Sequence, residues 1–252
     1  VKSIAGDLPV IAKIERVAAY ENLDDILAIA DGAMVARGDL GVELGIAPLP
    51  RAQKDIICRT NAASRISITA TEMLESMTSS PRPTRAEVTD VANAVLDGTD
   101  AVMLSAETAA GNYPIRSVRT MAAVCLEAEA SPGYPESTAA AEDLENSFAS
   151  AIAHAVADAS TSLSLELVVA FTESGSTARM VSHFRPAASI VAFTPQESTY
   201  HRRAIVWGVT PLRFPTLDST DAMIEEAARL LLERGMVEPG DSLAMAAGIP
   251  PN

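Results

Sequence analysis

Lys13 stands inside the apolar run Ile11-Ala12-Lys13-Ile14-Glu15, and the chain has only three lysines to place, Lys2, Lys13 and Lys54. A lysine kept for solubility has no reason to sit in such a run. Alternate residues of a strand share a face, so Lys13 and Glu15 point the same way. Two more runs end in the same abrupt manner: Val35 to Glu43, which delivers Gly38 and Asp39, and Ala70 to Met77, which begins with Thr71. One cation beside carboxylates at Glu15 and Asp39 suits a site that handles a divalent metal and a phosphorylated acid. The ammonium would stabilise negative charge developing on a transferring phosphoryl group or an enolate oxygen. Two carboxylates on neighbouring strand ends are what Mg²⁺ takes from a protein, with substrate oxygens and water completing its octahedron. Gly38 permits close backbone approach, so successive N–H groups in the Arg37-Gly38-Asp39 loop could hold a carboxylate. Plainer readings stand beside these. Lys13 could merely pair with Glu15, Glu15 and Asp39 could pair with Arg16 or Arg37, and Thr71 could be a buried hydroxyl.

Residues spread this widely need a scaffold that brings strand ends together. The first half alternates strand patterns (Val10–Ile14, Ala33–Ala36, Ile66–Ala70, Ala101–Leu104) with helix patterns (Glu21–Ala30, Pro50–Ala63, Thr84–Leu96, Tyr113–Glu129). Pro50 suits a first helical turn, Thr84 with Glu87 three positions on reads as a capping box, and Asp97-Gly98 ends a helix. Such βα repetition implies a parallel sheet with right-handed crossovers, and four units are half of a TIM barrel, whose strand C-termini carry catalytic groups. The Pro-, Gly- and Ala-rich stretch from Ser131 to Ala141 reads as a break. The expected domains are therefore residues 1–130, a linker at 131–145, and 146–252. After the break the pattern resumes with helices Ser147–Ala159, Thr177–Phe184, Thr199–Ile205 and Asp221–Arg234. Strands Leu165–Phe171, Ser189–Phe193, Val209–Phe214 and Ser242–Ala246 alternate with them, and an open doubly wound α/β sheet is expected.

In this second half Thr172-Glu173-Ser174-Gly175-Ser176-Thr177 joins a strand to a helix. Hydroxyls and free N–H groups at a helix N-terminus make a phosphate site; a capped turn without ligand is the plain alternative, and Glu173 adds unfavourable charge. The net charge of −14 excludes nucleic acid and anionic membrane surfaces as partners, since both need clustered cations. No apolar run reaches the roughly 18 residues of a spanning helix. Cys58 and Cys125 read as buried small residues of a reducing compartment. His154, His183 and His201 show no metal spacing and read as structural or surface residues.

Taken in order, IAKIE, MVARGDLGVEL, ATEMLESM, PTRAEVTDVANAVLDGTDAVMLSAETAAGNYP and TESGSTARMVSHFRP resemble the pyruvate kinases over nearly the whole chain. The resemblance implies a partial TIM (β/α)8 barrel, its last four βα units, followed by the C-terminal allosteric α/β domain. It identifies the chain as the C-terminal half of such an enzyme, and the activity as phosphoryl transfer from phosphoenolpyruvate to ADP, giving pyruvate and ATP in glycolysis. By the same resemblance Lys13 and Thr71 are catalytic, and Lys13, Gly38, Asp39 and Thr71 bind substrate. Glu15 and Asp39 hold Mg²⁺, and Thr71 helps order the water that protonates the enol. Thr172, Ser174, Gly175, Ser176 and Thr177 match the loop that binds the phosphate of a sugar-phosphate or nucleotide effector. Potassium is implied as a second cofactor with no ligands in this chain. A cytoplasmic homotetramer is the implied intact state, and this chain alone is expected to be inactive and, with two open sheet edges, to self-associate. Three departures mark the chain: Glu72 replaces the usual glutamine, Ala106 a glycine, and Ser64-Arg65-Ile66 a common Gly-Lys-Pro. Two rivals remain, an inactive homologue that senses a phosphometabolite through Thr172–Thr177, and a barrel lyase acting on oxo-acids.

Overall fold

In the computed structural model, residues 1–131, 134, 148–217 and 219–247 are described. Two compact units result: Val1–Asn146 with Ile205–Trp207, and Ser147–Ala204 with Gly208–Asn252. The proposed linker at 131–145 lies outside the described residues, Ser131 and Tyr134 apart.

The first unit holds strands β1 (Ile11–Ile14), β2 (Gly32–Ala36), β3 (Ile66–Ala70) and β4 (Ala101–Met103), all parallel and in the order β1-β2-β3-β4. Between and around them run α1 (Lys2–Ala5), α2 (Val17–Glu21), α3 (Leu23–Ile29), α4 (Arg37–Leu44), α5 (Leu49–Ala62), α6 (Arg85–Leu96), α7 (Ala106–Ala109) and α8 (Pro114–Glu129). Each strand lies beside its sequence neighbour with no reversal of order. This is the winding of a barrel wall, in which every C-terminal strand end opens on one rim. Burial follows position: all five residues of the inner strand β3 are buried, whereas the edge strand β4 is half-buried throughout. Gly32 has a local reason, because a Cβ there would lie 2.4 Å from the Ile66 carbonyl oxygen on the next strand. Ile14, Leu23, Leu27, Val35, Leu40, Ile56 and Ile57 form one core cluster beneath the first helices, and Met73, Leu74, Met77, Val91, Ala94 and Met121 another.

Thr84 caps α6 as its spacing predicts, with both halves of the box present. Glu87 also accepts from the Ser76 N–H at 2.7 Å and the Ser76 hydroxyl at 2.6 Å. Burial works to raise its pKa, but these hydrogen bonds and those from Thr84 prevail and hold the carboxyl below its ordinary value. The one box thus also ties α6 to the loop after β3. A loop is expected at Arg37-Gly38-Asp39, and the chain instead forms the first turn of α4 there. Gly38 and Gly41 lower helix propensity in an eight-residue stretch, and packing of Leu40 into the core overrides them. The expected helix at 21–30 is α3 (Leu23–Ile29), and a further short helix, α2, precedes it, the two meeting at Asn22.

The second unit contains α9 (Phe148–Ser162), β5 (Leu167–Phe171), α10 (Ser176–His183), β6 (Ser189–Thr194), α11 (Glu197–Arg203), β7 (Val209–Arg213), α12 (Thr220–Glu233) and β8 (Ala244–Ala247). Its parallel sheet has the order β7-β6-β5-β8. The order reverses between β5 and β8, so connections wind both ways from the middle, and the crevice of such a sheet opens at that switch point. Pro211 is tolerated because β7 is an edge strand, where a missing N–H costs no second ladder bond. Phe171, Phe193 and Phe214 fill the core with Leu167, Val191 and Leu231. Cys58 and Cys125 are both free. Cys125 is half-buried, which pushes its thiol pKa up, but Cys58 is exposed on α5 against expectation, since it faces away from Ile56 and Ile57.

Candidate active site at three strand ends

Lys13 is the last residue but one of β1, Glu15 directly follows that strand, Asp39 lies in the first turn of α4 directly after β2, and Thr71 follows β3. The parallel register that aligns Lys13 with Met34 and Met34 with Ile68 brings these ends to one rim. Lys13 Nζ pairs with a Glu15 carboxylate oxygen and lies 3.1 Å from Asp39 Oδ2. The carboxylates thus pair with Lys13, and the alternative partners are engaged elsewhere: Arg16 with Glu43 and Arg37 with Asp90. Beside them the Gly38 N–H donates to Thr71 Oγ1 at 2.9 Å, and that hydroxyl donates to the Ala70 carbonyl at 2.7 Å. The five residues singled out in the first half of the sequence are therefore brought together.

The electrostatics follow from the pairing. Hydrogen bonds to Glu15, then to Asp39, raise the Lys13 pKa. The hydrogen bond from Lys13 holds the Asp39 carboxyl below the usual carboxylate range. All three side chains are substantially exposed, Asp39 at 64%, so water screens the cluster and it organises a site more than it stabilises the fold. The sign is simple. A raised Lys13 pKa keeps the cation until pH rises through it, and a lowered Asp39 pKa keeps the anion until pH falls through it. Both charges therefore persist from about pH 5 to 9. In Lys13→Met the Asp39 carboxyl is expected to titrate upward, back into or above the ordinary range. A ¹³C titration of the Asp39 side chain in both proteins measures it, and an unmoved midpoint would show that Lys13 does not set the charge.

The turn at the end of β3 is unusual. Thr71 and Glu72 both take left-handed backbone, with φ of 66° and 53°, a conformation that costs non-glycine residues on the order of 1 kcal/mol or more each. Arg37, which sequence reasoning passed over as a possible ion-pair partner, reaches under this turn with its guanidinium. Glu107 was also missed: fully buried, it accepts from the Leu74 N–H at 3.0 Å and the Ser105 N–H at 2.7 Å, joining the loops after β3 and β4. The available signal was its place after β4, where any acidic residue lies near the rim. Among the described residues no cluster of three or more His, Cys, Asp or Glu forms a complete metal cage. Glu15 and Asp39 fit a hard cation that draws its other ligands from substrate and water.

In the second unit, Gly175 at φ 86° turns the chain into α10, and its N–H donates to Thr172 Oγ1 at 2.8 Å. Ser174 and Ser176 hydroxyls stand 3.1 Å apart. A Cβ at Gly175 would lie 2.2 Å from Arg203 Nε, so an arginine stem packs on this loop. The basic end of α11, His201-Arg202-Arg203, carried that information, but only the fold lays it against residues 172–177. His154 and His201 sit 3.6 Å and 3.8 Å from carboxylates on their own helices and form no metal site.

Comparison with known proteins gives one result throughout. Residues 2–118 match the family described as "Pyruvate kinase, barrel domain", and residues 150–252 match "Pyruvate kinase, alpha/beta domain". The chain is 45% identical over 246 residues to a pyruvate kinase of Staphylococcus epidermidis RP62A, and 46% identical to one of Staphylococcus aureus MRSA252; each alignment covers 97% of this chain and 42% of the relative. It thus spans less than half the length of these relatives. A solved structure of a pyruvate kinase from Cryptosporidium parvum superimposes with a TM-score of 0.90 at 39% identity, over 96% of this chain and 49% of that one. With both halves matched to parts of a single enzyme, and its two parallel sheets in accord, the chain belongs to the pyruvate kinase family.

Proposed function

We propose that the rim at β1, β2 and β3 serves phosphoryl transfer from phosphoenolpyruvate to ADP, yielding pyruvate and ATP. One observation carries the reading: a lysine ammonium held between two carboxylates, next to a helix N-terminus and a threonine hydroxyl. In it Lys13 neutralises charge on the transferring phosphoryl group and on the enolate oxygen left behind. The Gly38 and Asp39 N–H groups, at the start of α4, take the substrate carboxylate, and Thr71 Oγ1 adds a hydroxyl beside them. Nothing in the fold requires glycine at 38, since a Cβ there would meet Thr71 Oγ1 at an ordinary 3.7 Å; the space it leaves suits a ligand. Glu15 and Asp39 would hold Mg²⁺, whose chemistry when bound is to neutralise phosphate charge and make the phosphorus more electrophilic. Potassium belongs to the same reading, without ligands from this chain. Glu72 adds an anion near Gly38 and weakens substrate binding relative to a glutamine there.

The four βα units are read as the last four of an eight-unit barrel, which leaves β1 and β4 as open edges and accounts for an expected self-association and low activity of the chain alone. Residues 172–177 with Arg203 are read as the phosphate site of a sugar-phosphate or nucleotide effector. A cytoplasmic homotetramer is the intact enzyme's expected state. No helix among the described residues is long and apolar enough to cross a membrane.

The test is a titration of the ¹⁵N-labelled chain with phosphoenolpyruvate, with and without Mg²⁺. Metal-dependent shifts of the Gly38, Asp39 and Thr71 amides are expected. Phosphate-ester shifts confined to residues 172–177 would instead favour a purely regulatory module.

A further inference from the structure

Arg37 opens α4, yet its side chain is only 7% exposed, turned inward under the loop that follows β3. Its Nε lies 3.3 Å from the Ala70 carbonyl and 3.2 Å from that of Thr71. Nη2 donates to the Thr71 carbonyl at 2.7 Å, the Glu72 carbonyl at 3.1 Å and Met73 Sδ at 2.8 Å. Nη1 is anchored by Asp90 Oδ2 at 2.5 Å, on α6, and by Gln53 Oε1 at 3.4 Å, on α5. Three successive carbonyls therefore converge on one guanidinium, and two of them belong to the residues with left-handed backbone. Without the guanidinium, the part-buried Thr71 and Glu72 carbonyls would lose these donors, and the Ala70 carbonyl would keep the Thr71 hydroxyl. The planar fork of an arginine can serve three carbonyls and a carboxylate at once; a lysine's single ammonium cannot.

We propose that Arg37 is a positioning residue: it imposes the left-handed turn at 71–72 and so sets the Thr71 hydroxyl against the Gly38 N–H, with Asp90 and Gln53 fixing the guanidinium from behind. The geometry makes the coupling direct. Arg37 and Gly38 are adjacent, and so each crosses to Thr71, the first through its side chain to the Thr71 carbonyl and the second through its backbone to the Thr71 hydroxyl. Thr71 is held at both ends, and release of the carbonyl lets the residue relax to ordinary backbone and swing its hydroxyl off the rim. The device acts on the substrate-carboxylate cradle, so its functional consequence rests on the reading proposed above, while the clamp itself does not.

The experiment compares the wild-type chain with R37K, D90N and T71V by ¹H–¹⁵N spectra and by phosphoenolpyruvate titration in Mg²⁺. T71V, which lacks the acceptor, calibrates the Gly38 amide shift. R37K is expected to move the Gly38 amide at least halfway to its T71V position, while β5 and β6 amides stay in place. It should also lower phosphoenolpyruvate affinity about 10- to 100-fold, the effect of misplacing one hydrogen bond to a charged group. D90N should show the same changes in smaller measure. A folded R37K with an unmoved Gly38 amide overturns the proposal, and so does a moved amide with unchanged affinity. If R37K does not fold, D90N decides by the same criteria. If the wild-type chain binds no phosphoenolpyruvate, the proposed function falls, and the Gly38 shift alone then decides whether Arg37 sets Thr71.

Discussion

Lys13→Met is expected to lower pyruvate formation by about 10³-fold or more, the scale on which loss of a cation at a transferring phosphoryl group acts. Methionine keeps the length and apolar stem while removing the charge, and Lys13 is half exposed, so the fold should stay intact. The loss should fall on turnover more than on apparent affinity, because the ammonium meets charge that grows in the transition state. The assay couples pyruvate to lactate dehydrogenase, with Mg²⁺, K⁺ and ADP. It is run on this chain and on a fusion to the N-terminal part of one of the staphylococcal relatives. A K13M fusion retaining more than a tenth of the activity would remove Lys13 from the chemistry.

Phe193→Ala is expected to destabilise the second unit by about 3–5 kcal/mol. Phe193 is 1% exposed, and its ring lies 4.6 Å from that of Phe214 and 5.7 Å from that of Phe171, centroid to centroid. Truncation leaves a void bounded by the two remaining rings, Phe171 on β5 and Phe214 just after β7, and the backbone pairing of both strands to β6 prevents them from closing in. Domains have only about 5–15 kcal/mol to lose in total. Hydrogen exchange of the β5 and β6 amides measures the effect, and their protection should fall by roughly 10²- to 4 × 10³-fold. A change below tenfold would mean that the site collapses around the smaller side chain.

Both expectations start from residues visible in the sequence, and the extent of that visibility has physical causes. Strand and helix identities were legible because their burial is regular: Ile66–Ala70 is a wholly apolar-or-small run and becomes an inner strand, and Thr84 with Glu87 is a local signal needing only four residues. Lys13, Glu15, Asp39 and Thr71 were legible as candidates because charge or hydroxyl groups at the ends of apolar runs have few structural uses. Helix α4 was hidden, because Gly38 and Gly41 speak against it locally and only Leu40 in the core favours it.

What the amino-acid order determined by itself is the alternation of elements, the family, and the residue types available at each strand end. Tertiary structure decided which of those residues meet. The parallel register brings Asp39 to the Lys13 that already faces Glu15, a pairing that no local rule chooses over Arg16 or Arg37. It also turns Arg37 beneath Thr71 and Glu72, lays Arg203 on the 172–177 loop, and buries Glu107 between two loops. The contacts of Lys13 with Asp39, of Arg37 with Thr71 and Glu72, of Arg203 with Gly175 and of Glu107 with Leu74 join residues about 26 to 35 positions apart. Propensity and periodicity act over one or two turns of chain, whereas an ion pair or a carbonyl clamp depends on where separate elements stop in space.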